Sequence, residues 1–184
     1  MRYNILLVVL ILLIPGRDAV AQEGLYVRFS VGTGYYAEHS VLDDSGFTTP
    51  AKNHALGWGL NERFGLQISD FGALIKQKVG DYDYMNLDAL GLGLSYYIRP
   101  DTYLCLSGGY GKVTLAHDWT QIMNDGRQEG LALSLTLNRE WLLSKRWSIG
   151  LGAQGFYFKT RNIQYEFTHL GLTGAISHYF TPVG

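Results

Sequence analysis

The sequence predicts an all-β fold, an eight-stranded antiparallel up-and-down transmembrane β-barrel, and three observations support this prediction. After residue 22 no window shows a sustained helical period of apolar residues, whereas segments of period two recur along the chain. The face opposite the large apolar side chains carries mostly glycine, serine and other small residues. Charged residues make up 17% of the chain, below the roughly 25% of an ordinary soluble domain.

Residues 89–111 show the pattern most clearly, since they form two strands around a Pro-Asp corner. Large apolar residues such as Leu90 and Leu92 alternate with Gly91 and Gly93, as successive side chains of a strand do across its two faces. The interior of an eight-stranded barrel is only wide enough for side chains to fill it. We therefore expect the small residues to face a crowded lumen and the leucines to face acyl chains.

Eight segments have this period of two. They cover residues 25–35, 56–68, 71–79, 89–98, 104–111, 130–143, 147–159 and 166–180. Lipid offers no water to satisfy an exposed sheet edge, so a sheet that spans a bilayer has to close on itself. A strand of about 9–11 residues crosses the hydrocarbon, and eight strands are the smallest usual number for such a barrel.

The predicted connections fall into two classes of length. Tight turns are expected at Ser69-Asp70, at Pro100-Asp101 and at 144–146, and long loops at 37–55 and 116–129. Segments 80–84 and 161–165 are intermediate and lie on the side of the long loops. All the tight turns then share one end of the barrel, because successive antiparallel strands reverse direction.

Residues 1–21 are expected to be a secretory signal peptide, followed by one barrel domain at 22–184. Arg2 supplies a positive start, residues 5–14 form an apolar run, and the small-x-small motif AVA provides a cleavage site. The apolar run is shorter than the about 20 residues that a membrane-spanning helix needs.

The architecture resembles that of the small outer-membrane β-barrels of Gram-negative bacteria, of the OmpA-transmembrane, OmpX and OmpW type. The likeness lies in the signal segment, in eight strands with short turns at one end and long loops at the other, and in the last segment, GLTGAISHYF at 171–180. It implies a bacterial outer-membrane location, with both termini in the periplasm and the long loops at the cell surface. It also implies contact with the lipid bilayer and lipopolysaccharide, and insertion by the outer-membrane assembly machinery.

Aromatic residues at the predicted strand ends indicate two belts at the membrane interfaces. At the long-loop end we expect Tyr35, Trp58, Tyr110 and Tyr157. At the short-turn end we expect Phe71, Tyr96, Trp141, Trp147 and Phe180.

Five charged residues are predicted to point into the lumen, namely Arg28, Arg63, Lys76, Lys78 and Glu140. Buried charges are ordinarily paired, so one interpretation is an ion-pair network that plugs the barrel. The alternative is a gate or narrow polar path whose basic groups attract anions. The same register places Glu62 on the lipid face, unless a bulge at Asn61-Glu62 turns it inward.

No residue is predicted to be catalytic or to bind a metal or cofactor. His39, His54, His117 and His169 lie in or near the predicted surface loops. The His-x-Ser pattern of lipid A deacylases is absent from the sequence at His169, which precedes Leu170 and Gly171. The formal net charge of −1 at pH 7 gives no basic stripe for nucleic acid. Cys105 is the single cysteine, so the chain has no internal disulfide.

Three functions from different classes remain open at this point. The first is a non-enzymatic structural or surface-interaction protein whose extracellular loops meet partners. The second is a narrow porin-like channel for small or apolar solutes, and the third is a lipid A-modifying enzyme. The main rival fold is a soluble exported barrel of the lipocalin kind, whose outer face should carry charges.

Overall fold

The structure, a computed structural model, describes residues 23–39, 45–79, 82–116, 125–161 and 166–181. It contains eight strands: β1 Gly24–Glu38, β2 Ser45–Gly59, β3 Phe64–Val79, β4 Tyr82–Arg99, β5 Thr102–Ala116, β6 Asp125–Leu142, β7 Trp147–Thr160 and β8 Glu166–Tyr179. They form one closed antiparallel sheet in chain order, in which β8 pairs with β1. The predicted all-β, eight-stranded up-and-down barrel is confirmed. The predicted signal peptide lies outside the described residues.

The strand register fixes how the barrel closes. Successive pairing partners lead from Arg28 on β1 through Ala55, Ser69, Gly91, Gly109, Ala132, Phe158 and Phe167 back to β1 at Glu38. The path returns ten residues further along β1 than it started, which is the stagger of the barrel. For eight strands such a stagger corresponds to a strand tilt of about 40°. Successive pairing partners therefore lie progressively nearer the loop end of the barrel from β1 to β8.

The two faces of the sheet differ as the period of two predicts. Outward residues form an apolar surface, of which Leu92 is 74% exposed. Inward residues are small where the lumen is crowded: a Cβ added at Gly57 would lie 2.3 Å from the Tyr26 ring, and one at Gly93 would lie 2.4 Å from Ser107 Oγ. This outward apolar surface argues against the lipocalin alternative. Among the described residues no helix has the length and apolarity needed to cross a bilayer.

The short turns lie at one end of the barrel, together with the beginning of β1 and the end of β8. They are residues 60–63, Pro100-Asp101 and 143–146. In the first of these turns Asn61 Oδ1 accepts hydrogen bonds from the backbone N–H groups of Arg63 (2.8 Å) and Phe64 (2.9 Å). Such side-chain acceptors stabilise tight turns in place of a ladder hydrogen bond.

The tight turn predicted at Ser69-Asp70 is wrong, because β3 runs through these residues without interruption. Ser69 points into the lumen and Asp70 points outward. The predicted strand at 56–68 joined the end of β2 to the beginning of β3 across the real turn at 60–63. The predicted number of strands is nevertheless correct, because the missed turn at 60–63 is offset by the false turn at Ser69-Asp70.

The predicted long loop at 37–55 is also largely wrong. Its residues form the end of β1 and most of β2, so the connection itself spans only 39–44. The outer face of β2 carries Lys52 and His54, which interrupt the apolar alternation and therefore look like loop residues in the sequence.

Candidate functional site

The lumen near the turn end is closed by a buried ion pair between β1 and β6. Arg28 Nε donates to Glu140 Oε1 at 2.9 Å, and Arg28 Nη2 lies 2.9 Å from the same oxygen. The two residues are 4% and 3% exposed. A buried charge is tolerated only when it is paired and hydrogen-bonded, and both conditions hold here.

Glu140 also accepts hydrogen bonds from three hydroxyl groups of β7 and β8. Ser148 Oγ on β7 lies 2.8 Å from Oε2, and Ser177 Oγ on β8 lies 3.0 Å from Oε1. The Tyr179 hydroxyl donates to Oε2. Both oxygens of the carboxylate are therefore satisfied by fixed donors, which holds Glu140 in one position.

The guanidinium of Arg28 lies between aromatic rings that extend the network across the lumen. Its Cζ atom is 4.4 Å from the centroid of the Tyr103 ring and 5.0 Å from that of Tyr26. The Tyr26 hydroxyl donates to Gln67 Oε1 at 2.8 Å, and Gln67 Nε2 donates to Ser69 Oγ at 2.7 Å. The contacts thus join β1 to β3, β5, β6, β7 and β8.

Beside this network the described lumen contains a cavity of about 10 Å³. Its lining comprises Arg28, Ser30, Asn53, Ala55, Gln67, Tyr103, Cys105, Thr136, Asn138 and Thr173. A cavity of this size holds about one water molecule. This cavity has no room for a chain of water molecules or for a solute.

The half of the lumen nearer the loops is filled mainly by apolar side chains, with the polar residues Glu38, Gln154 and His169 buried among them. A buried cluster of this region includes Tyr36, Phe71, Ile75, Met85, Leu87, Val113, Phe156, Phe158 and Phe167. The His169 ring stacks on Phe156 with ring centroids 4.5 Å apart. The barrel therefore has two layers of filling, a polar layer near the turns and an apolar layer above it.

Arg63 and Lys76, predicted to lie in the lumen, do not lie there. Arg63 is exposed in the turn between β2 and β3, and Lys76 is exposed on the outer face of β3. The cause is the missed turn at 60–63 and the inverted assignment of the segment after Ser69-Asp70. Glu62 is exposed in the same turn, so it lies neither on the lipid face of a strand nor at a bulge.

Arg28 and Glu140 are the members of the predicted set that the structure brings together. The side chain of Lys78 lies outside the described part of the molecule. Phe71, predicted at the short-turn interface, is buried in the lumen instead. Its inward direction follows from the continuous strand β3, in which Phe71, Ala73 and Ile75 share the inner face.

The other eight aromatic residues assigned to the interfaces have outward positions. Tyr35, Trp58, Tyr96, Tyr110, Trp147 and Phe180 are exposed, and Trp141 and Tyr157 are half-buried. Trp58 lies beside the turn at 60–63, so its predicted place at the long-loop end is wrong. The Tyr35 hydroxyl donates to Ser45 and that of Tyr110 to Glu129, near the loop end.

A cluster of charges on the outer wall was missed in the sequence. It consists of Lys52 on β2, Asp70 on β3, Asp88 on β4 and Lys112 on β5, here named the wall cluster. Lys52 Nζ lies 2.7 Å from Asp70 Oδ1 and 2.6 Å from Asp88 Oδ1. The alternation of strand faces could have predicted this cluster. Once β2 and β3 are aligned about the turn at 60–63, all four residues fall on the outer face of the barrel.

The histidines of the described segments have separate structural roles. His54 lies on the outer wall rather than in a surface loop, and its ring is 5.5 Å from that of Phe29. His39 Nε2 is 2.9 Å from Thr168 Oγ1 near the loop end. In the part of the chain that the structure describes, no three His, Cys, Asp or Glu side chains are placed to hold a metal ion.

The fold has known counterparts among solved structures, although no protein-family model and no curated protein matches the sequence. Neisserial surface protein A (NspA) aligns with a TM-score of 0.66 and 13% identity, over 86% of this chain and 98% of its own. The attachment invasion locus protein Ail of Yersinia pestis aligns with a TM-score of 0.53 and 14% identity, over 85% of this chain and 99% of its own. The likeness shows that this chain has the fold of the small bacterial outer-membrane barrels.

Proposed function

We propose that this chain, with its outer-membrane barrel fold, is a closed and non-enzymatic membrane anchor that presents its loop end for interactions at the cell surface. The observation that carries the proposal is the filling of the lumen in two layers. Arg28 and Glu140 close the polar layer, and the apolar cluster that includes Phe71 and Phe158 closes the layer above it.

The long strands support a role for the loop end. The strands have 14–18 residues, more than the about 9–11 that cross the hydrocarbon. On β4 the outward apolar run extends from Leu90 to Ile98, while the outward residues nearer the loops are Asp88, Asn86 and Tyr84. The polar part of such a strand projects beyond the bilayer and supports the loops.

The names of the two similar proteins also support a role at the cell surface. One is a surface protein, and the other is an attachment protein that was also solved in complex with a heparin analogue, sucrose octasulfate. For this chain we propose a positively charged partner instead of a negatively charged one. Its loop-end connections at 39–44, 80–81, 117–124 and 161–165 contain four aspartates and one arginine, which favours a basic partner surface over a sulfated glycan.

The placement in an outer membrane is also part of the proposal. It makes the bilayer and lipopolysaccharide the surroundings of the outer wall, and the outer-membrane assembly machinery the route of insertion. If the barrel is not an enzyme, lipopolysaccharide incubated with the purified protein keeps its acyl chains. Mass analysis of the lipid measures this, and any loss or gain of an acyl chain would show enzymatic activity instead.

A binding experiment tests the surface role. The protein in nanodiscs of uncharged phosphatidylcholine is passed over immobilised polylysine and immobilised heparin, and we expect salt-sensitive retention on polylysine alone. A variant with Asp43, Asp44, Asp81 and Asp118 changed to Asn should lose this retention. Glu62→Gln, which changes an exposed acid at the opposite end, is the matched control and should keep it. Retention on heparin, or equal retention of the two variants, contradicts the proposal.

A further inference from the structure

Two arginines lie close together at the turn end of the barrel. Arg63 is exposed in the turn between β2 and β3, and Arg99 is exposed at the end of β4. The backbone N–H of Tyr97 donates to the Arg63 carbonyl oxygen at 2.8 Å, and Arg99 follows Tyr97 by two residues, about 7 Å along the strand. Within the described segments neither guanidinium takes part in an ion pair.

A bulge at the end of β4 turns Arg99 toward the outer surface. After a shift of register, Arg99 pairs with Thr102 of β5. Pairing partners share one face of the sheet, and Thr102 has the same parity as the outward residue Leu104. Ile98 and Arg99 therefore both face outward, as the two residues of a bulge do. Arg99 lies where the apolar outer surface of β4 ends.

The charges around the two arginines sum to one positive charge. Asp101, which follows Arg99 in the next turn, is buried and accepts from Arg139 Nε at 2.5 Å, so these two charges neutralise each other. Glu62 is exposed next to Arg63. We name Arg63, Arg99 and Glu62 the turn patch. The patch fits a ligand that carries one net negative charge.

An apolar depression lies on the membrane side of the turn patch. It has a volume of about 290 Å³, and its lining includes Leu56, Trp58, Leu66, Ile68 and Leu92. Leu66 follows Arg63 by three residues, about 10 Å along β3. The wall cluster lies beyond the depression, nearer the loops, since Asp70 follows Ile68 on the same strand. A ligand with its head at the turn patch thus directs its apolar part toward the centre of the bilayer.

We propose that the turn patch and this depression bind one phosphatidylglycerol molecule. Its phosphate lies at Arg63 and Arg99, whose planar guanidinium groups donate in pairs to phosphate oxygens, and one acyl chain occupies the depression. The single negative charge of this lipid matches the net charge of the patch. Phosphatidylethanolamine and phosphatidylcholine are neutral and leave the patch with its positive charge.

The leaflet in which this lipid lies follows from the proposed function. With the loops at the cell surface, the turn end lies in the periplasmic leaflet, where phospholipids rather than lipopolysaccharide surround the barrel. This location rests on the proposed function, whereas the binding of the lipid to the purified protein does not depend on it.

Native mass spectrometry of the purified protein in detergent tests the site. The protein is mixed with equal amounts of dioleoyl phosphatidylglycerol, phosphatidylethanolamine and phosphatidylcholine, and the bound lipids are counted. We expect one phosphatidylglycerol adduct, about fivefold more abundant than the adduct of either other lipid, which is the effect of two exposed charge contacts. Because the three lipids share their acyl chains, a difference between them reports the headgroup.

Substitutions locate the headgroup on the barrel. Arg63→Gln and Arg99→Gln should each reduce the preference for phosphatidylglycerol to about twofold, because one of two contacts remains, and the double variant should abolish it. Arg146→Gln is the matched control, since Arg146 is an exposed arginine in the turn at 143–146. It should keep the fivefold preference.

Tryptophan fluorescence locates the acyl chain. Phosphatidylglycerol with brominated acyl chains, added at one molecule per protein in detergent, should quench part of the fluorescence. Trp58→Phe should remove most of this quenching, because Trp58 lines the depression. Trp147→Phe is the matched control and should keep it, since Trp147 is equally exposed but lies beside the turn at 143–146.

Three results overturn the inference. Equal adducts of the three lipids show a surface without selectivity. A loss of preference in Arg146→Gln as large as that in Arg63→Gln shows that the basic turn end attracts anions without a defined site. Equal quenching in the two tryptophan variants shows that the chain lies elsewhere. The comparison of lipids on the unchanged protein decides the matter even if a variant does not fold, and none of these results bears on the loop end, which the polylysine experiment tests.

Discussion

At the scale of single residues, Glu140 is the point on which the polar layer of the lumen converges. Its carboxylate accepts from Arg28, Ser148, Ser177 and Tyr179. Removal of one member of a buried ion pair leaves the other charge without compensation, which costs more than the intact pair contributes. Glu140 is therefore expected to matter more for stability than exposed acids do.

Glu140→Ala should lower the free energy of unfolding by about 3–5 kcal/mol, because Arg28 then remains buried without its partner. Urea unfolding of the protein in lipid vesicles measures the change. The double variant Arg28→Met with Glu140→Met should recover much of the loss, since two apolar side chains leave no buried charge. Glu62→Ala, in an exposed turn, should change the unfolding free energy by less than about 0.5 kcal/mol. A loss of similar size in the double variant would falsify the account.

At the scale of the elements, β3 is the strand that most distinguishes the structure from the sequence prediction. It continues through Ser69 and Asp70, so that Ile68 faces outward and Ser69 faces the lumen with no exposed surface. Ser69 Oγ lies 3.0 Å from Ser107 Oγ, in a space already filled by neighbouring side chains. Adjacent residues of β3 should therefore respond in opposite ways to a large side chain.

Ile68→Trp should fold as the unchanged protein does, and brominated acyl chains should quench the new indole. Ser69→Trp should prevent folding or strongly destabilise the barrel, because overpacking of a filled interior displaces its neighbours. The folded fraction is measured by the heat-modifiable mobility of the barrel on gels. If both variants folded equally well, residues 68 and 69 would belong to a turn rather than to a strand.

The sequence predicts best the strands along which large and small residues alternate without interruption. For β7 and β8 the predicted limits differ from the observed ones by one residue, since the alternation runs from end to end. For β2 and β3 the prediction failed because Lys52, His54 and Asp70 lie outward among apolar neighbours, and polar residues in such a run resemble a turn. The pairing of Arg28 with Glu140 depends on the register of non-adjacent strands, which a local pattern does not contain.

At the scale of the whole molecule, the lumen is closed twice, by different kinds of side chain. The polar layer contains Arg28, and the apolar layer above it contains Phe71, Phe156 and Phe158. A path through the barrel needs openings in both layers at once. Removal of a single charged side chain should therefore not produce a channel.

We expect neither the unchanged protein nor Arg28→Ala to conduct ions in a planar lipid bilayer. In the variant, the apolar layer still blocks the passage of hydrated ions, which dewetted constrictions exclude. Single-channel recording in potassium chloride measures the conductance. Discrete current steps in Arg28→Ala but not in the unchanged protein would show that the polar layer alone closes the barrel.

Labelling of the single cysteine can measure how often the filled barrel opens. Cys105 is buried on the inner face of β5 and packs with Tyr97 and Tyr103. A thiol reagent added from outside can reach it only after neighbouring strands have separated. The rate at which a maleimide dye labels the unaltered chain thus measures how often the wall opens, and it does so without an introduced probe.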